Sequence, residues 1–322
     1  DLIGAAMSIR PNRLAADLPT HSVSVVAITP FGDGGVFDES LIRSHLRRIA
    51  AAGVGVYVGG GGSGEGYTLD LHETQRLVEI TVDELRGKVP VRAMGKEPRL
   101  AAEMVDYVRM ATAAGVDACQ IYSLDQGHGH RPTMPELERY FVEILDNVSV
   151  PTVLSTHQSV GYQVPVDMLE RLVARFPDVV GINSSHQDIG YLRRIIDALG
   201  SEVSVHVGGP LHGLTNLSLG GHGFVCSEAN LAPVTCQKVI DAFIGGDATM
   251  MTEAFGTVVR LFEALYGAGG IRATKALLSR LGLAGGPPRL PQLPVESAVV
   301  DRLLALVHRL GIAETEGFPL PV

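Results

Sequence analysis

The sequence predicts an α/β fold, a (β/α)8 TIM barrel with a C-terminal helical appendage. Three observations predict it. Eight short apolar runs alternate with segments of helical period, the connections between them are short, and glycine, at 38 residues, collects where the strands end. A chain of 322 residues accommodates one large barrel domain and several extra helices.

The elements follow in order. Residues 1–20, with Pro11 and Pro19, read as an irregular N-terminal extension. "HSVSVVAITPF" (21–31) is a strand ending at Pro30, and "DESLIRSHLRRIAAAG" (38–53) is a helix with Leu41, Ile42, Leu46 and Ile49 on one face. Asp38 caps that helix and Gly53 stops it. "VGVYVGG" (54–60) is the second strand, and Asp70 with Glu73 has capping-box spacing before a helix over 71–86. "VPVRAM" (89–94) is the third strand and "DACQIYS" (117–123) the fourth, the latter followed by a helix opened by Thr133 and Glu136. "VPTVLST" (150–156), "VVGIN" (179–183), "SVHVGG" (204–209) and "GHGFVCS" (221–227) complete the eight. Helices alone follow to about residue 312. The expected division is 1–20 extension, 21–245 barrel and 246–322 helical region.

Composition narrows the function. Hydrophobic residues make up 46% and charged residues 19%, enough for a substantial core. The net charge of −9, with no Lys/Arg run, argues against nucleic acid as partner. No run of 18 apolar residues and no signal peptide is apparent, so no membrane partner and a cytoplasmic location are expected. Cys119, Cys226 and Cys236 lack CxxC spacing and sit in apolar contexts, as buried thiols do.

A barrel of this kind carries its site at the C-terminal ends of its strands. Those ends hold Thr29, then Gly61, Gly62, Ser63 and Glu65, then Lys96. Asp125, His128 and His130 follow strand four, Ser155 and His157 strand five, Asn183 and His186 strand six, Gly208 strand seven and Asn230 strand eight. The glycines of "VGGGGSGEGYTL" (58–69) can present backbone N–H groups to a carboxylate or phosphate.

"TPFGDGGVFD", "GGSGEGYTL", "VVGIN" and "SEANLAP", in this order and spacing, resemble the signatures of the dihydrodipicolinate synthase/N-acetylneuraminate lyase superfamily. The resemblance covers nearly the whole chain from about residue 21. It implies a homo-oligomer, dimer or tetramer, no cofactor, and Schiff-base aldol chemistry on pyruvate or a related 2-oxo acid. In that family a strand-six lysine attacks the ketone, a strand-five tyrosine shuttles protons and a Thr-Thr pair binds the carboxylate. The iminium so formed withdraws electrons from the α-carbon far better than a ketone does.

Here the lysine position is Asn183, the tyrosine position is Ser155 and the Thr-Thr pair is Gly62-Ser63. Glu65, the flanking glycines and the Thr29-Pro30 turn match the pattern. Three readings of the altered site stand side by side. The nucleophile has moved to Lys96, where burial would keep the amine neutral. Alternatively, the barrel works without an imine. Asp125, His128, His130, His157 and His186 would then transfer protons or hold a divalent metal, with Asn183 as a hydrogen-bond donor to the substrate oxygen. In the third reading catalysis is lost and the protein binds an oxo acid or serves as a scaffold.

Overall fold

The computed structural model describes residues 10–321; the first half of the expected N-terminal extension, residues 1–9, lies outside them. Eight parallel strands close into a barrel in sequence order: β1 Ser22–Val26, β2 Gly55–Val58, β3 Val91–Met94, β4 Ala118–Ile121, β5 Thr152–Thr156, β6 Val179–Ser184, β7 Ser204–Gly208 and β8 Gly223–Cys226. A helix follows each: α1 Glu39–Ala51, α2 Leu71–Leu85, α3 Ala101–Ala114, α4 Met134–Leu145, α5 Val166–Arg175, α6 Ile189–Leu199, α7 Gly213–Ser218 and α8 Pro233–Gly245. Four more complete the chain: α9 Ala248–Gly267, α10 Ile271–Arg280, α11 Ser297–Arg309 and α12 Ile312–Glu316. Among the described residues no helix is long and apolar enough to cross a membrane.

The helix starts are set by local chemistry. Asp38 accepts a hydrogen bond from the Leu41 N–H, and Asp70 and Glu73 form a reciprocal capping box. Glu136 takes the Thr133 N–H at the head of α4. The strands are shorter than the apolar runs suggest: Tyr122 and Ser123 lie beyond β4, and Gly59 and Gly60 beyond β2. Gly59 has φ 78°, a left-handed conformation that ends the strand.

The chain divides into two compact units, one of residues 92–225 with the chain up to Ser22, the other of residues 23–91 and 226–322. In the second unit the terminal helices share a core with barrel residues. Leu261, Leu277, Leu303 and Val307 pack in one buried cluster with Ile28 and Leu231. Burying each such leucine contributes roughly 1.5–3 kcal/mol, which fastens α9–α11 to the strand-one and strand-eight loops. The three cysteines are buried thiols, with Cys226 and Cys236 sulfurs 3.9 Å apart.

Candidate functional site

In the unit of residues 92–225, the centre is an amide pair. Asn183 Nδ2 donates to Gln120 Oε1 at 2.8 Å. Gln120 is in register with Val153 of β5, and Val153 with Gly181 of β6, so the bond joins β4 to β6 past the intervening strand. Only side chains inside the barrel can meet that way, in a layer built from alternate strands. Asn183 is 6% exposed, and its Oδ1 is buried with no protein partner. A Cβ at Gly208 would stand 3.6 Å from that oxygen. Reversing both amides keeps the bond and presents an N–H there instead, so the pair can offer either polarity. Ser155 lies in register beside Asn183 and is buried.

The strand-five loop adds a histidine. Ser123 Oγ donates to Ser155 O at 2.6 Å, and Gln158 N–H donates to Ser185 Oγ at 3.0 Å, tying the loop to β4 and β6. His157, held by Ser159 Oγ at Nδ1 (2.5 Å), lies edge-on to Tyr122 with centroids 5.9 Å apart. Burial pushes the His157 pKa down, while the charges of Glu97 and Asp125 oppose the shift. His186 is lowered first by burial and then by the charge of His157. The structure thus gathers Asp125, Glu97, His157 and His186 into one electrostatic group, with neutral imidazoles at pH 7.

The other sequence candidates in this unit are elsewhere. His128 and His130 are exposed on a turn whose residues 127, 128 and 129 have φ of 72°, 53° and 75°. Among the described residues no three His, Cys, Asp or Glu side chains are placed to hold a metal ion, so the alternative of a histidine-held metal finds no ligand set there. Asp125 Oδ1 accepts the Gly127 N–H at 2.9 Å, a turn-forming bond. Lys96 is exposed, so the burial on which a relocated amine depends is not there.

In the unit of residues 23–91 and 226–322, the glycine loop is braced from below. A Cβ at Gly66 would fall 2.3 Å from Gly59 O, and one at Gly64 2.7 Å from Gly60 O, so neither position tolerates a side chain. Glu65 stands between them in a left-handed conformation, φ 53°. Its Oε2 meets Lys275 Nζ of α10 at 2.5 Å; both side chains are fully buried and Glu65 Oε1 has no partner. Burial acts on both groups against charge, raising Glu65 and lowering Lys275. Lys275 also donates to Thr29 O at 3.0 Å and sits 4.3 Å above the Phe31 ring, with Arg289 4.1 Å from the same ring. A surface groove of about 520 Å³ runs past Phe31 and Arg272 but contains none of the strand-end candidates.

Several candidates in this unit are fully committed. Thr29 Oγ1 donates to Gly64 O at 2.7 Å. Asn230 Oδ1 accepts from Ile28 N–H and His45 Nε2, and its Nδ2 donates to Val26 O and Ser227 O, all at 2.9 Å. That exhausts the amide, so Asn230 is a staple between the β1 and β8 ends and has nothing left for substrate. Gly61 is buried, whereas Gly62 is exposed, with nothing within 4 Å of a Cβ there, and Ser63 is partly open.

Two side chains escape a motif search. Lys275 sits within the apolar stripe of α10, four residues after Ile271 and three before Leu278, which was a readable sign of burial. Gln120 is the one polar residue of β4, and nothing in the strand marks which way it faces.

The sequence profile of the Dihydrodipicolinate synthetase family matches residues 19–310. A 4-hydroxy-tetrahydrodipicolinate synthase of Phenylobacterium zucineum is 32% identical over 288 residues, covering 88% of this chain and 95% of that protein. One from Hyphomonas neptunium is 32% identical over 298 residues, covering 89% and 98%. The solved structure of the 4-hydroxy-tetrahydrodipicolinate synthase of Methylacidiphilum fumariolicum superposes with a TM-score of 0.83 at 25% identity, covering 93% of this chain and 99% of that one.

Proposed function

Because the chain belongs to the Dihydrodipicolinate synthetase family, we propose that it is an aldolase-type lyase of a small 2-oxo or hydroxy acid that works without the strand-six Schiff base. The observation that carries this reading is Asn183. It points into the barrel and holds an unpartnered polar atom there, at the position where the family resemblance expects the lysine. An amide cannot form an imine, but it can bind a carbonyl or enolate oxygen.

In this mechanism a proton leaves the carbon next to the ketone and the charge collects on oxygen. Asn183, oriented by Gln120, donates to that oxygen. His157 takes the proton, as its lowered pKa keeps the ring unprotonated and free to accept one at pH 7. Glu97 and Asp125 then stabilise the imidazolium. Ser155, in register beside Asn183, carries a small hydroxyl where the resemblance leads one to expect a phenol. Gly61, Gly62 and Ser63 remain the proposed contacts for an anionic group in their own unit. A homo-oligomer, dimer or tetramer, belongs to the same reading; Leu71, 77% exposed, and Tyr67, 48% exposed, offer apolar contact surface.

The test is deuterium exchange into the methyl group of pyruvate, followed by proton NMR in heavy water. The wild-type protein exchanges it. His157→Gln lowers the rate by about 10²–10⁴-fold, the usual worth of a general base. Binding of pyruvate without exchange favours the second reading, a non-catalytic oxo-acid-binding protein of the same fold.

A further inference from the structure

The inward faces of β4 and β5 continue past their last ladder pairs. Gln120 points into the barrel, and Tyr122 follows it by two residues. Ser155 stands in register beside Asn183, and His157 follows it by two, on backbone that is still extended (φ −91°, ψ 123°). The two rings meet edge to face, with centroids 5.9 Å apart and planes at 73°, as side chains on neighbouring inward faces do.

The backbone that carries each ring is pinned. Tyr140 Oη donates to Tyr122 O at 2.8 Å. Ser123 Oγ donates to Ser155 O at 2.6 Å and accepts the His157 N–H at 3.4 Å. His157 is also held at one ring nitrogen, since Ser159 Oγ lies 2.5 Å from Nδ1. A neutral imidazole has one N–H and one lone pair, and a hydroxyl can serve either. When Ser159 accepts the Nδ1 hydrogen, the lone pair falls on Nε2, and the same bond persists after Nε2 is protonated. When Ser159 donates instead, Nε2 carries the hydrogen and can take no other. A half-turn of the ring would bring a carbon to Ser159, and the edge of Tyr122, only 4% exposed, opposes that turn. Glu97, Asp125 and His186 act on the same ring from the ends of strands three, four and six. The two carboxylates favour an imidazolium with N–H at both nitrogens, and His186 opposes it.

We propose that Tyr122 and Ser159 are positioning residues for His157: Ser159 accepts the Nδ1 hydrogen, Tyr122 keeps the ring from turning, and the Nε2 lone pair is left as the proton acceptor. The held tautomer stands on these contacts alone; its use against a substrate rests on the functional reading above. In that use the substrate C–H bond breaks and its electron pair becomes the C=C bond of the enolate. The carbonyl pair moves to oxygen, and the proton bonds Nε2 while Nδ1 keeps its own.

The experiment labels the whole chain with 15N-histidine and reads each ring's tautomer from long-range proton–nitrogen spectra, with His157→Gln assigning the signal. In the wild type at about pH 8, Nδ1 is protonated and Nε2 is not. Ser159→Ala reverses that preference, and Ser159→Thr, which keeps the hydroxyl, restores it. Tyr122→Phe titrates as the wild type does. In Tyr122→Leu, and in Tyr122→Met as a second shape, the His157 midpoint moves toward the ordinary value near 6.5. In the pyruvate exchange assay Ser159→Ala and Tyr122→Leu lower kcat about tenfold to hundredfold with KM within about threefold, as a misaimed base does. Ser159→Thr and Tyr122→Phe recover most of that loss. An Nε2-protonated wild type overturns the proposal. So does a wild-type tautomer in Ser159→Ala, or a wild-type titration in both Tyr122→Leu and Tyr122→Met. The expected tautomer without methyl exchange in the wild type upholds the held ring and refutes the functional reading.

Discussion

Replacing Lys275 by methionine is the perturbation whose size the structure fixes best. Methionine keeps the length and the contact with Phe31 but removes the ammonium lying 2.5 Å from Glu65 Oε2 and 3.0 Å from Thr29 O. Both partners are fully buried, so the pair's desolvation has already been met and the loss is that of an uncompensated buried charge, about 3–5 kcal/mol. The orphaned Thr29 carbonyl adds roughly 1 kcal/mol. Glu65 can escape part of this by taking a proton, because burial already raises its pKa. A carboxyl raised above its unfolded value is stabilising at low pH and loses that contribution as pH rises. The defect in Lys275→Met is therefore smaller at pH 5 than at pH 8. Glu65→Gln in the same chain removes the stranded charge and restores about half or more of the loss. Urea unfolding of the single and double variants, compared at matched slope, measures all of this. A cost below about 1 kcal/mol for Lys275→Met, or no recovery in the double variant, refutes the brace.

Three further outcomes follow from named contacts. Burial, with Arg48 and Lys275 nearby, pushes the His45 pKa down to about 3. The unfolded ring titrates near 6.5, so stability falls by up to about 1.4 kcal/mol per pH unit as pH drops from about 6 toward 3. His45→Gln flattens that slope by about one proton in urea titrations between pH 6 and 4, and equal slopes contradict the shift. Gly66→Ala drives a Cβ to within 2.3 Å of Gly59 O and costs about 1–3 kcal/mol in the same assay, with the β2 loop displaced. Asn183→Lys places an amine beside Ser155 and should give a borohydride-dependent pyruvate adduct at position 183; no adduct there means that the surroundings no longer suit an imine.

The fold was legible because its signals are local. Asp38, Asp70 with Glu73, and Thr133 with Glu136 each fix a helix start from within four residues, and short apolar runs mark the strands. The site was legible only where a motif supplied position. Asn183 was expected at the end of strand six, and its side chain there is buried and bonded to Gln120. The roles of Thr29, Glu65 and Asn230 were not readable, since what commits them are partners distant in sequence: Gly64, Lys275 and His45 respectively. Lys96 shares a period-two face with Arg92 and Met94, yet it projects into solvent while Arg92 acts on His206 inside the ring. Alternation gives the face of a strand but not where the barrel ends. The residues that match the family motif, Thr29 and Glu65, are bonded to protein. Asn183, Gly62 and Ser63, where the resemblance leads one to expect other residues, keep an unpartnered atom or an exposed surface.

The central claim is that this barrel handles a 2-oxo acid without forming an imine. Incubation with pyruvate and borohydride, followed by intact-mass and peptide mapping under conditions where methyl exchange is observed, tests it most directly. The account predicts exchange with no reduced adduct on any lysine. A stoichiometric adduct on Lys96, Lys275 or any other lysine contradicts it and returns the protein to Schiff-base chemistry at a new position.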